Sequence, residues 1–302
     1  MAGLVPAIDF SGRMKTRMPA GAGMAGAGAH FSASTPCDEY ATVPTSPVLA
    51  PSAPVSRSIL VVLHQEHSTP GRVGRLLRER GYRLDVRRPP LGCDLPKTMC
   101  GHEGAVIFGG PMSANDPEAW IRCETDWIGT VLASGKPFLG LCLGAQMLSN
   151  LLGGKVEKHP EGQAEIGYYP LAPTAAGESF SAEIGAEWPD HVYQWHREGF
   201  EVPPGATRLA EGEIFENQAF RVGRNAYGLQ FHPEVTYAMM CRWTVRAHDR
   251  MAMPGARARH EHLQGWYRHD GAVHHWLDAF LDHWTGTRRT LPAEPRRTTW
   301  RG

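Results

Sequence analysis

No stretch of this 302-residue chain approaches the roughly 18 consecutive apolar residues of a membrane-spanning helix. An integral membrane protein is therefore not expected. Net charge is lacking as well, since 31 basic side chains balance 31 acidic ones. Without a net field, nothing draws the whole surface to phosphate backbones or anionic lipid, so neither a nucleic acid nor a membrane is an expected partner. Cysteine is scarce and scattered. Its six copies, Cys37, Cys93, Cys100, Cys123, Cys142 and Cys241, form no Cys-x-x-Cys pair and follow no signal-peptide pattern. That argues against a disulfide framework or a structural zinc site, and for a reduced, cytoplasmic setting. At most one of these thiols is expected to be chemically special.

Regular patterning is also missing at both ends. Ala, Gly, Pro and Ser make up 30 of the first 56 residues, too little apolar area to offset the entropy of ordering them. Residues 1–56 are read as a disordered extension, with Met14, Met18 and Met24 as in-frame alternative starts. Residues 286–302, where four arginines surround two prolines, are read as a flexible basic tail.

Between them, residues 57–285 alternate. Ile59-Leu60-Val61-Val62-Leu63 is a short apolar run of the kind a buried parallel strand displays. A helix is predicted over 71–80, a strand over 82–86 and a strand over 105–108 that breaks at Gly109-Gly110-Pro111. A helix over 117–134 with proline in its first turn comes next, then the strand Pro137-Phe138-Leu139-Gly140-Leu141 and a helix over 143–152. This order predicts an α/β fold, a doubly wound and mostly parallel central sheet flanked by helices. Short strands are predicted in the second half at 165–171, 191–195, 207–210, 219–222 and 226–231, and an amphipathic helix over 273–284.

Cys142 stands at the junction of an apolar strand and a helix, in Gly140-Leu141-Cys142-Leu143-Gly144. Glycines two residues to either side relieve crowding where the chain turns most sharply, the arrangement of a nucleophile elbow with sulfur in place of oxygen. A thiol there lies at the carboxyl edge of the sheet and at a helix N-terminus, whose partial positive charge favours the thiolate. A base and an orienting acid are offered by His232 and Glu234 in Gln230-Phe231-His232-Pro233-Glu234. Two residues apart on an extended chain, they would point to one face. An oxyanion needs donors, and the amides of Gly110 and Leu143 are the candidate pair. Glycine suits the first position because its amide can turn into a site with no Cβ in the way.

Gly109-Gly110-Pro111, Gly140-Leu141-Cys142-Leu143-Gly144-Ala145-Gln146 and Phe231-His232-Pro233-Glu234, in this order, resemble the class I glutamine amidotransferases. They are similar above all to stand-alone proteins related to the glutaminase domain of GMP synthase. The resemblance implies that family's flavodoxin-like fold, a Cys142–His232–Glu234 triad, an oxyanion hole at Gly110 and Leu143, and a glutamine-binding role for Gln146. Tyr193-Gln194-Trp195-His196 looks like the loop that meets the substrate's amino-acid end, which would make His196 a substrate contact; a hydrogen-bonded structural histidine is the alternative. The implied substrate is glutamine or another γ-glutamyl amide, cleaved through a γ-glutamyl thioester without metal or organic cofactor.

Neither a Gly-x-x-x-x-Gly-Lys-Ser/Thr loop nor a Ser-Gly-Gly-x-Asp-Ser loop for ATP is found. The expectation is that a separate synthase subunit accepts the ammonia, or that a γ-glutamyl conjugate is hydrolysed or transferred without an acceptor domain. A non-catalytic protein of the same fold is the remaining alternative. His260, His262, His269, His274, His275 and His283 lack metal-ligand spacing and are read as a polar helix face.

Overall fold

The computed structural model describes residues 57–287. The expected disordered extension of residues 1–56 and nearly all of the expected basic tail lie outside the described residues. Strand β1 (Ser58–Val62) is buried along its whole length. Period-2 alternation sends Ile59 and Val61 into one core and Leu60 and Val62 into another. A strand buried on both faces has no polar side to display, and this is why its sequence reads as an unbroken apolar run.

The other strands of the main sheet are β2 (Arg83–Arg87), β3 (Gly104–Ile107), β4 (Phe138–Leu141), β7 (Ala172–Pro173), β10 (Thr207–Glu211), β11 (Asn217–Val222) and β12 (Ala226–Leu229). Their spatial order is β2-β1-β3-β4-β12-β11-β10-β7. The five strands from β2 to β12 run parallel, and β11, β10 and β7 continue the sheet antiparallel. Two ribbons stand apart, β5 (Val156–Lys158) with β9 (Glu198–Phe200), and β6 (Glu165–Pro170) with β8 (His191–His196).

Helices α1 (Gly71–Glu79), α4 (Ala175–Ile184) and α6 (Arg259–Thr285) cover one face of the sheet through residues such as Leu76, Phe180 and Trp276. Helices α2 (Ala119–Ala133) and α3 (Leu143–Leu151) cover the other through Ile128 and Leu148. The doubly wound, mostly parallel sheet is therefore present; of the short strands predicted for the second half, β12 joins it parallel, β11 and β10 extend it antiparallel, and β6 and β8 form a separate ribbon. No helix among the described residues is long and apolar enough to cross a membrane.

Some local expectations change. Pro117 lies ahead of α2, which begins at Ala119 with Glu118 in extended backbone as its N-cap. Helix α4 and a further helix, α5 (Tyr237–Arg246), were not predicted; each starts on a threonine whose hydroxyl caps the first turn, Thr174 and Thr236. The last helix is 27 residues long and begins well before residue 273. Its first half is polar in sequence yet packs closely: a Cβ on Gly265 would come within 2.4 Å of Tyr168. His262 departs from the expected polar face. It is buried and bonded to the Tyr193 hydroxyl at 2.9 Å and to the Arg257 carbonyl at 3.1 Å.

Candidate active site

The turn between β4 and α3 is taken by one residue. Cys142 has φ 49° and ψ −102°, and among the described residues it is the one non-glycine with positive φ. Its amide extends the β4–β12 ladder to Leu229 at 2.8 Å, while its carbonyl accepts the first bond of α3 from Gln146 at 3.0 Å. Sheet and helix thus meet with no spacer between them. Close approach on both sides requires glycine: a Cβ on Gly140 would lie 2.5 Å from the Gly144 carbonyl, and one on Gly144 only 2.3 Å from the Ile107 oxygen. The obstruction at residue 144 is backbone and cannot rotate away. Gly144→Ala should destabilise the protein by about 2–3 kcal/mol. Gly129→Ala, in α2 with nothing within 4 Å of the added carbon, should stabilise it by about 0.5–1 kcal/mol. Denaturant unfolding of the two variants checks the pair, and equal effects would mean the elbow is not packed as described.

His232 and Glu234 follow β12 in a turn, not on an extended strand as the spacing suggested. Val235 N–H donates to the His232 carbonyl at 3.3 Å, and His232 N–H is anchored to the Tyr193 carbonyl at 2.8 Å. The two side chains meet nevertheless, His232 Nδ1 lying 2.8 Å from Glu234 Oε1 with both groups buried. Burial opposes charge on the ring, but the Glu234 carboxylate and the Cys142 sulfur outweigh it and raise the His232 pKa from 6.5 to about 10. His232 Nε2 has no hydrogen-bond partner among the described residues. The edge of the ring and Cys142 share one wall: a Cβ on Gly109 would press on His232 Cε1 at 2.8 Å and on Cys142 Cβ at 3.3 Å.

Cys142, His232, Glu234, Gly109 and Gly110 all line one cavity of about 490 Å³. Leu143, the first residue of α3, has an amide that precedes the helical ladder. Its side chain packs beneath Gly110. Gln146 and His196 are not brought to the cavity. The Gln146 amide nitrogen donates to the Glu198 carbonyl at 2.8 Å and to Gln230 Oε1 at 3.4 Å. His196 has both ring nitrogens engaged, Nε2 with Glu165 at 2.9 Å and Nδ1 with the Glu198 carbonyl at 3.0 Å, the arrangement of the structural alternative. Among the described residues no group of three or more His, Cys, Asp or Glu side chains could hold a metal ion.

Three residues near the site were not singled out from the sequence. Gln230 Nε2 lies 3.7 Å from Cys142 Sγ. His64, two residues past the end of β1, reaches the Gly109 carbonyl with Nδ1 at 3.1 Å and Glu124 with Nε2 at 2.9 Å, the second pair fully buried. A carbonyl only accepts, so Nδ1 carries a proton. Because the peptide is trans, holding the Gly109 C=O also sets the opposite direction of the Gly110 N–H. Both residues left a signal: His64 sits at the carboxyl end of a strand, where α/β folds place ligands, and Glu124 is an acid on the apolar face of α2 defined by Ile121 and Ile128.

A family model described as glutamine amidotransferase class-I matches residues 64–240. The glutamine amidotransferase-like protein YfeJ of Salmonella typhimurium is 32% identical over 182 residues, 58% of this chain and 74% of that protein. The GMP synthase [glutamine-hydrolyzing] of Thermus thermophilus is 35% identical over 138 residues, 45% of this chain but only 25% of that longer protein. The crystal structure of a glutamine amidotransferase from Thermotoga maritima superposes with a TM-score of 0.67 at 30% identity, covering 76% of this chain and 98% of that one. A glutamine amidotransferase structure from Methylobacillus flagellatus shares the fold, with a TM-score of 0.71 over 80% of this chain and 98% of that one at 24% identity.

Proposed function

Because this chain belongs to the class I glutamine amidotransferase family, we propose that it hydrolyses the side-chain amide of glutamine with Cys142 as nucleophile, His232 as base and acid, and Glu234 as the orienting carboxylate. The observation that carries this reading is the strained turn that puts Cys142 on the same cavity wall as a histidine held by a buried carboxylate. Structural cysteines have no need of such a backbone.

In the proposed reaction Cys142 Sγ attacks the amide carbon as the thiolate, with the proton held on His232 Nε2. The oxyanion accepts hydrogen bonds from the Gly110 and Leu143 amides. The C–N bond then breaks as His232 returns the proton to the departing nitrogen. Ammonia leaves, and a γ-glutamyl thioester remains on Cys142. Water deprotonated by His232 attacks the thioester, the S–C bond breaks, and glutamate is released. Gln146 contributes from behind the wall, tying α3 to the segment around Glu198 and so fixing the floor of the glutamine site, and His196 acts at the same remove. Residues 57–285 form the catalytic unit in this reading, in a cytoplasmic setting, and the ammonia passes to a separate synthase subunit. The intact combination of thiol, imidazole and carboxylate argues against a non-catalytic role. Mass spectrometry of the intact protein after rapid mixing with glutamine should find a γ-glutamyl adduct on Cys142; absence of both adduct and ammonia release would overturn the reading.

A further inference from the structure

Three arginines share one wall of the cavity that holds Cys142. Arg242 and Arg246 lie on α5, and Arg250 follows in a short 3₁₀ turn (His248–Ala252). Spaced four residues apart, they fall along one side of the helix and its continuation. Arg72, Arg75, Arg80, Arg87 and Arg208 each have a carboxylate partner; among the described residues Arg242, Arg246 and Arg250 have none. The remaining charged side chains of the cavity are Glu66 with its neighbour His67, 4.0 Å apart, and the His232–Glu234 pair at the base. Three guanidinium groups thus face one free-standing acid.

Glutamine does not account for this wall. It carries one carboxylate and one ammonium, so it brings no net charge to a wall that carries three positive ones. Its roughly ten heavy atoms also underfill a cavity of about 490 Å³, a volume typical of sites for larger ligands. A γ-glutamyl amide whose amine portion ends in a carboxylate has the matching charge: one carboxylate beside the ammonium at the glutamyl end, and a second beyond the scissile bond. Planar guanidinium forks fit carboxylates better than an ammonium would.

Resting on the catalytic reading of Cys142, we propose that the same site also hydrolyses anionic γ-glutamyl amides of the γ-glutamyl-amino-acid class, with Arg242, Arg246 and Arg250 binding the carboxylate of the departing amine. The step is the same hydrolysis. The thiolate forms the S–C bond, the C–N bond breaks, and His232 gives its proton to the amino-acid nitrogen in place of ammonia. Water then releases glutamate.

Steady-state hydrolysis by the full-length protein, with γ-glutamylalanine, γ-glutamylethylamide and glutamine as substrates, tests this. The first two differ by one carboxylate at the amine end. Charge-assisted hydrogen bonds of the usual strength make kcat/KM about ten- to a hundredfold higher for γ-glutamylalanine. In the Arg242→Gln/Arg246→Gln double variant that ratio should fall to near one, chiefly through KM. Equal kcat/KM for the two amides, with both and glutamine cleaved, overturns the proposal and leaves the catalytic reading standing. A preference that survives the double variant overturns the assignment to these arginines. No turnover of any of the three substrates overturns both the proposal and the catalytic reading beneath it.

Discussion

Cys142→Ala is expected to lower glutamine hydrolysis by about 10⁴-fold or more, because no other group in the cavity can form the thioester and the remaining machinery acts only through it. Cys142→Gly should be equally inactive, yet the two variants should differ in stability. At φ 49° and ψ −102°, any residue with a Cβ is strained by roughly 1–3 kcal/mol. Alanine keeps that strain and loses the sulfur. Glycine removes the strain, at a cost of about 0.5–1 kcal/mol in backbone entropy and somewhat under 1 kcal/mol in lost methyl burial. The glycine variant should therefore unfold at a temperature equal to or above that of the alanine variant, an unusual order for a buried position. Ammonia release and thermal unfolding, measured on both, read the two halves separately. Residual activity in Cys142→Ala would remove the thiol from the mechanism, and a glycine variant much less stable than the alanine variant would mean the elbow is not strained.

The central layer was legible in the sequence because its strands are buried on both faces. Ile59 to Leu63 could be read as a parallel strand without any tertiary knowledge, and the strand–helix alternation then fixed the layer order. The tight turn at Cys142 was legible for a local reason: the crowding that demands Gly140 and Gly144 is caused by atoms within a few residues or on the adjoining strand. His232 and Glu234 were found by proximity in sequence, although the geometry that joins them is a turn held by Tyr193 from another ribbon. What depends on distant partners was not legible. His262 looks like one polar residue in a histidine-rich helix, and only the approach of Tyr193 makes it part of the core. The His64–Glu124 pair joins residues 60 positions apart, and nothing in either segment alone indicates that they meet beneath Gly109. The same holds for Gln146, whose partners are the Glu198 carbonyl and Gln230; for His196 the structural alternative was open from the sequence, but its Glu165 partner was not visible there.

Glu234→Gln keeps the shape of the side chain and removes its charge, and it should lower kcat/KM at neutral pH by about 10²–10⁴-fold. Burial alone would push the His232 pKa down; the Glu234 carboxylate at 2.8 Å and the Cys142 sulfur together raise it from 6.5 to about 10. With the carboxylate gone, the ring binds its proton more weakly, and glutamine's amide can hold the wrong tautomer. The alkaline limb of the kcat/KM profile, where His232 loses the proton it must give to the leaving nitrogen, should therefore shift to lower pH in the variant. Stability follows the same sign. A folded-state pKa above the unfolded value stabilises the protein fully below about pH 6.5, and the contribution is lost as pH rises toward about 10. The stability gap between the native protein and Glu234→Gln should accordingly be wider at about pH 6 than at about pH 9, as denaturant unfolding at the two values would measure. A rate profile whose alkaline limb stays in place would mean that another group orients His232, and a gap that widens with pH would mean that the histidine is not held charged in the folded state.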